Sequence, residues 1–397
     1  MRRIDLKRVN VARPTTIRDI NRQIVLNYIR ERGPISRAEI AQETALQRST
    51  VSIIVEELKA GGLLEEVYGE STGGRPPILL SLRSADAIAI GVDLGTIRTV
   101  VATSDLAGRV LEQEEFPTDP DASKTISRVI DCVRKLNSKS GGTVEGVGVS
   151  LPGLVNPESG RAVFIPHFRW RDFDIAREVR AATGLAVSAD NDANAAALAE
   201  LWFGRPEIRE VRDFIMVLVE EGVGAGIVFD GQVYRGKNGA AGEFGHMTIG
   251  EGAPVACAAG SRRCWEAFAS QRAALARYHN LKPPPERDDG VDFEMLVDLA
   301  LEGDAHAVSA LKETARYLGI GIANLTQGLS PEAVIVGGPI VRAWPLITGD
   351  VREAVGESIC RGLPPAQIIA STLGEQPTLM GALCLVLMTK FTHAALA

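Results

Sequence analysis

A few short stretches of this 397-residue chain carry side chains that can do chemistry at close spacing. Asn191-Asp192-Ala193-Asn194 opens a run that should be helical to about Phe203. A helix start stabilises a carboxylate, but Asn and Asp are also ordinary helix caps, so the segment alone admits both a binding and a capping role. Gly239-Ala240-Ala241-Gly242-Glu243-Phe244-Gly245-His246 is a glycine-rich turn holding a carboxylate and an imidazole, and Cys257 and Cys264 follow it. With five Cys, no secretory apolar segment and no long apolar run, a reduced, cytoplasmic protein is expected. The close Cys pair then reads as metal ligands or as two free thiols before it reads as a disulfide. Near the other end, Arg48-Ser49-Thr50-Val51-Ser52 offers the donors and acceptors that reach base edges and phosphates.

The elements that must position the last group are predicted as follows. Residues 1–14 form a basic arm. From Thr16 to Arg32, Ile20, Ile24, Leu26, Tyr28 and Ile29 recur near helical spacing, and Gly33-Pro34 ends the helix. Ser36-Arg37-Ala38-Glu39 is a capping box for a short helix to Thr44, with Ala38, Ile40 and Ala41 inward. A third helix runs from about Gln47 to Ala60 with Val51, Ile54, Val55 and Leu58 as its apolar stripe. Arg48, Ser49, Thr50 and Ser52 then lie at its N-terminal end, as in a recognition helix. A hairpin of Leu63–Tyr68 and Ile78–Leu82 follows, and its loop carries Arg75, suited to a narrow minor groove. A small protein-interaction module would also fit three helices and a hairpin. Charge favours nucleic acid at this end: residues 1–83 hold 14 Lys and Arg against 10 Asp and Glu, whereas the remainder holds 29 against 40.

Beyond residue 83, apolar strands are expected at Ile88–Val101 (with a turn), Val144–Ser150, Phe214–Val219, Ala225–Phe229 and Ala333–Val336. They are separated by helical stretches and followed by glycines. That pattern indicates an α/β fold with ligands at the strand ends.

The phrase Ile35-Ser36-Arg37-Ala38-Glu39-Ile40-Ala41 with Arg48-Ser49-Thr50-Val51-Ser52 closely resembles the winged helix-turn-helix of ROK-family repressors. The ordered set of turns, most specifically Gly239–His246 followed by the Cys loop, resembles the same family's sugar-kinase module, and the whole resemblance covers about Thr15 to Leu387. The resemblance implies a winged helix-turn-helix over residues 15–83. Over residues 84–397 it implies a two-lobed, actin-like and ribonuclease-H-like sugar-binding domain, its lobes meeting near residue 200 and its C-terminal helix returning to the first lobe. It implies that Asn191, Asp192, Glu243, His246 and Glu266 bind a sugar, with Asp192 at the position of the kinases' general base. It further implies that His246 also meets zinc with Cys257 and Cys264. Here Ala259 replaces the family's middle Cys and Arg263 a later Gly, so weakened zinc and a metal-free loop both stay open. His167 and Arg169 replace the commoner Asn and Gly in a pocket loop, and Trp170 is either a sugar-stacking or a core residue.

Active ROK kinases carry Asp-x-Gly-Gly-Thr and Gly-Thr-Gly-Val-Gly in their phosphate turns. This chain has Asp93-Leu94-Gly95-Thr96-Ile97 and Glu220-Glu221-Gly222-Val223-Gly224. Carboxylates and a branched apolar residue do not cradle polyphosphate, so no ATP use is expected. The expectation is a sugar-responsive, DNA-binding regulator, a repressor of carbohydrate uptake or catabolism genes. It would act as a homodimer or homotetramer on a double-stranded DNA operator, with no membrane segment. The rivals are a sugar kinase with a DNA-binding appendage and a regulator controlled by a protein partner.

Overall fold

The structure, a computed structural model, describes residues 14–69, 76–83, 87–204, 211–281, 290–360, 362–374 and 376–391. The N-terminal part comprises α1 (Pro14–Arg32), α2 (Arg37–Thr44), α3 (Arg48–Ala60) and a hairpin of β1 (Leu64–Tyr68) and β2 (Ile78–Leu82). Both bonds of the capping box form: the Ser36 hydroxyl accepts from the Glu39 N–H, and the Glu39 carboxylate accepts from the Ser36 N–H. Ile35 exchanges two backbone hydrogen bonds with Leu80 and so extends the wing sheet. The α3 stripe is buried as its spacing predicts.

The inward face of α1 is offset from the expected one. Val25, Leu26 and Ile29 are buried, whereas Ile20 and Ile24 are 38 % and 39 % exposed. Residues 25, 26 and 29 share one helical face, with Ile24 beyond its edge. Ala38, expected inward, is exposed, because α2 turns Ile40 and Ala41 to the core. Arg75, with residues 70–74 of its loop, lies outside the described residues.

The first lobe contains β3 (Ala87–Leu94), β4 (Arg98–Ser104), β5 (Val110–Pro117), α4 (Ala122–Lys139), β6 (Thr143–Leu151), β7 (Leu154–Asn156), β8 (Arg161–Ile165), β9 (Trp170–Phe173), α5 (Ile175–Thr183) and β10 (Val187–Asn191). After α6 (Asp192–Phe203), the second lobe contains β11 (Phe214–Val219), β12 (Val223–Phe229), β13 (Gln232–Val233), α7 (Trp265–Ala269), α8 (Gln271–Leu281), α9 (Phe293–Leu301), α10 (Ala305–Leu329), β14 (Ala333–Gly337), α11 (Trp344–Ser358) and β15 (Gln367–Ala370), and α12 (Pro377–Phe391) ends the described chain.

The two main sheets repeat one topology. Their orders are β5-β4-β3-β6-β10 and β13-β12-β11-β14-β15. In each, the first three strands in sequence form an antiparallel meander, and the first pairs in parallel with the fourth, which pairs in parallel with the fifth. The central strand β11 is buried at every residue, as a strand covered on both faces must be. This duplicated meander brings two equivalent hairpin tips, β3–β4 and β11–β12, to the same cavity.

α12 packs on β3 and β6 and crosses α6. The crossing is backbone to backbone: a Cβ at Gly381 would stand 2.1 Å from the Ala195 carbonyl oxygen, so only glycine fits there. α6 is mostly Ala and Leu and is buried from Ala193 to Glu200, as a helix enclosed by the fold must be. Its far end meets the winged module. Leu106, Leu383, Val386 and Leu387 join the core formed by α1 to α3, with Trp202 and Phe203 packed against it. The Arg30 guanidinium lies 3.9 Å above the Trp202 ring.

Candidate functional site

A cavity of about 380 Å³ opens where the strand ends of both lobes meet the start of α6, and Asn191, Asp192, Glu243, His246 and Glu266 all line it. Each is held by its local backbone. The Asn191 side-chain oxygen caps α6 by accepting from the Ala193 and Asn194 N–H groups, and its amide donates to the Gly153 carbonyl at 3.0 Å. Capping and pocket lining are thus one arrangement, not alternatives. Asp192 accepts from the Ala193 N–H at 2.7 Å. Burial raises its carboxyl to about 7, against the pull of that N–H, and the negative Asp93 and Glu243 add to the rise.

Gly242, at φ +91°, presses against the Ala225 carbonyl and turns the chain into the 3-10 turn that presents Glu243 and His246. His246 Nε2 lies 3.8 Å from the Glu243 carboxylate. Glu266 is buried in the first turn of α7, where Oε1 accepts from the Ala258 N–H at 2.8 Å. The Cys loop therefore orients a cavity carboxylate whatever else it holds.

Zinc, one of the outcomes that the family resemblance leaves open, fits the donors present. The ligand atoms of His246, Cys257 and Cys264 all lie within 4.8 Å of one another. His246 Nδ1 is buried without a hydrogen-bond partner, an arrangement that a metal would satisfy. Burial raises the Cys264 thiol, and the neighbouring Cys257 adds to it. Bound zinc reverses that bias by stabilising thiolates. Among the described residues this group has three members, one fewer than a closed tetrahedral site.

The two hairpin tips supply more carboxylates. Asp93, Glu220 and Glu221 line the cavity. Burial raises Asp93 to about 6 while the Thr378 hydroxyl, donating at 2.7 Å, opposes the rise. Glu220 is raised well above its usual range by burial and then by Asp93 and Asp192. Burial also raises Glu221, opposed by Arg272 and His167. Ile97 is 65 % exposed, whereas Thr96 faces the cavity with His167 and Arg169. Trp170 is a core residue: it is 7 % exposed and donates its indole N–H to the Pro120 carbonyl at 2.7 Å. Arg272 had no distinguishing sequence signal. It donates to the Glu221 and Ala256 carbonyls and stands 3.8 Å from Glu266, tying both cavity walls together.

At the other end of the molecule, Arg48, Ser49 and Ser52 are exposed at the start of α3, and Thr50 is partly so. Arg37, by contrast, is held by Glu56 and Glu66 at 2.7 and 2.8 Å. No helix among the described residues is long and apolar enough to cross a membrane.

The fold and cavity are those of a sugar-kinase-like module joined to a winged helix. Residues 89–389 match the ROK family and residues 24–75 the MarR family. The chain belongs to the ROK family, as a transcriptional regulator with a MarR-type winged helix-turn-helix. It is 30 % identical to the xylose repressor of Bacillus spizizenii over 96 % of this chain and 98 % of that one. A solved ROK family transcriptional regulator, a homologue of the E. coli MLC protein, superposes with a TM-score of 0.78 at 27 % identity, covering 95 % of this chain and 97 % of that one. A ROK family glucokinase from Streptomyces griseus, solved with glucose and AMPPNP, gives a TM-score of 0.68 at 31 % identity over 75 % of this chain and 98 % of that one.

Proposed function

We propose that this protein represses carbohydrate uptake or catabolism genes and is released from its operator, or fixed on it, by a sugar. The observation that carries the reading is the convergence of Asn191, Asp192, Glu243, His246 and Glu266 on one cavity. Recognition of a polyol needs such a fixed set of donors and acceptors, because every hydroxyl left unpaired is penalised. α3 enters the major groove with Arg48, Ser49, Thr50 and Ser52, and Arg75, which lies outside the described residues, is assigned to the adjacent minor groove. Two or four copies act together, since a palindromic operator is read by paired helices. The similarity to a xylose repressor makes D-xylose the first sugar to try.

His246, Cys257 and Cys264 would hold zinc, which would fix the orientation of the imidazole that lines the cavity. ATP is not used: Glu220 and Glu221 stand where polyphosphate would pass. Whichever of the two is ionised repels polyphosphate, at a few Å by on the order of several kcal/mol at an effective dielectric near 20 before screening. Sugar binding favours one arrangement of the lobes, and coupling follows if the winged modules bind DNA better in one arrangement than in the other.

The test is capture of genomic DNA fragments by the purified protein, with and without a panel of sugars. Inverted repeats beside sugar genes, released or strengthened by one sugar, are the expected result. Specific capture indifferent to every sugar would point to a protein partner instead. One observation favours the kinase reading: an Asp192 carboxyl at about 7 suits a general base. Sugar-dependent ATP turnover by the purified protein would establish that reading and remove ours.

A further inference from the structure

Asp190 is the penultimate residue of β10, and alternation along the strand sends its side chain away from the cavity that Asn191 lines. Its carboxylate is buried. Oδ1 accepts from the Asn191 N–H at 2.9 Å and from the Asn194 side-chain amide at 3.3 Å. Oδ2 accepts from Arg235 Nε at 2.7 Å. One carboxylate thus holds the chain on either side of Asp192. Arg235 comes from the second lobe, just past β13. Its own carbonyl accepts from the Ala241 N–H at 3.1 Å, which closes the loop leading into Gly242 and the turn that presents Glu243 and His246. Within that loop Gly239 lies against β7: a Cβ there would stand 2.0 Å from the Val155 carbonyl oxygen. The segment from Arg235 to Ala241 is therefore pinned to the first lobe at Asp190 and at Val155. Asp190 and Arg235 line a separate cavity with Asn156 and Asn238, and neither lines the first one.

We propose that Arg235 and Asp190 are positioning residues for the sugar. Their ion pair straps the segment carrying Glu243 and His246 to the helix start carrying Asn191 and Asp192, and so fixes the spacing between the two halves of the binding set. Polyol recognition depends on that spacing, because a set out of register leaves hydroxyls unpaired. Groups locked by contacts behind the site also lose less freedom on binding. The pair stays closed because parting it would leave a buried carboxylate without its cation. The inference rests on the sugar-binding reading above and adds to it two residues that touch no ligand.

The experiment is calorimetric titration of the full-length protein and its variants with D-xylose, D-glucose and N-acetylglucosamine, alongside thermal denaturation. Asp190→Asn removes the charge and keeps one oxygen for the Asn191 N–H, and Arg235→Gln removes the cation. Each should weaken binding of the sugar that the wild type takes by about tenfold or more. The double variant should bind about as well as the weaker single one, because both changes break the same bond. Arg235→Lys keeps the charge without the guanidinium geometry and should fall between the wild type and Arg235→Gln. If Arg235→Gln misfolds, Asp190→Asn carries the test alone. A pair that only supports the fold would lower the denaturation midpoint and leave the dissociation constant unchanged. That result, or losses that simply add in the double variant, overturns the proposal while leaving sugar sensing intact. Binding of none of the three sugars by the wild type, while DNA capture stays specific, overturns the sugar reading and this proposal together.

Discussion

Burial holds the Asp192 carboxyl at about 7, far above its unfolded value of 3.8. The native state therefore binds more protons than the unfolded chain between those values, and stability falls as pH rises through that window. Asp192→Asn keeps the shape and removes the charge. It should gain on the order of 1–2 kcal/mol at pH 8, after solvent screening, and almost nothing at pH 4. Thermal denaturation at both pH values checks this, and equal gains at the two would refute the charge argument. The same variant should lose sugar binding, because the group retained at a cost to stability is the one facing the ligand. The metal prediction is equally local. Ala259→Cys restores the thiolate position missing from the loop and should raise zinc affinity by about tenfold or more in a chelator competition, while His246→Ala should abolish retention. Asn191, Asp192, Glu243, His246 and Glu266 were legible because they sit in ordered motifs. Glu220 and Asp93 were legible only as damaged phosphate turns. That they face Asp192 depends on strands distant in sequence meeting at one cavity, which no local pattern encodes.

Helix α3 begins at a Gln47 whose backbone has the extended cap geometry but whose side chain makes no cap bond. Gln47→Ser should therefore stabilise the winged module by about 0.5–1 kcal/mol, measured as a rise in its denaturation midpoint. Arg48→Ala should weaken operator binding and lower the salt slope of the affinity by about 1 if the side chain meets a phosphate. Sugar affinity should be unchanged. A shift in sugar affinity would mean that α3 does more than read DNA. At this scale periodicity predicted well where a helix packs against one partner face, as Val51, Ile54, Val55 and Leu58 do. It was offset in α1, because Val25, Leu26 and Ile29 meet a core that other parts of the chain supply. Trp170 read equally well as a stacking platform or a core residue. The bond from its indole to Pro120 decides the matter, and that partner lies in a distant loop.

Across the whole molecule, one helix joins the cavity to the winged module. The N-terminus of α6 carries Asn191 and Asp192 in the cavity, and its other end carries Trp202 under Arg30 of α1. Twelve residues at about 1.5 Å each span about 18 Å of rigid helix. Trp202→Ala removes the ring and the cation contact. It should leave sugar affinity within about twofold while shrinking the sugar's effect on DNA binding, a coupling that typically amounts to about 1–3 kcal/mol. Operator binding measured at zero and saturating sugar reads that coupling directly, and an unchanged ratio would exclude this end of α6 from it. The repeated sheet topology was only half legible. Individual strands announce themselves by apolar runs, but the pairing of β3 with β6 and of β11 with β14 spans long insertions that carry no register signal. The shared core of Leu106, Leu383, Val386 and Leu387 with α1 to α3 also has a bearing on how such proteins diversify. A DNA-reading head cut away at residue 83 leaves apolar residues bare on both sides of the cut, so exchange of heads by recombination must carry matching changes in α6 and α12. On the role proposed for α3, new operators would be reached more readily by point changes along its exposed edge than by trading whole domains.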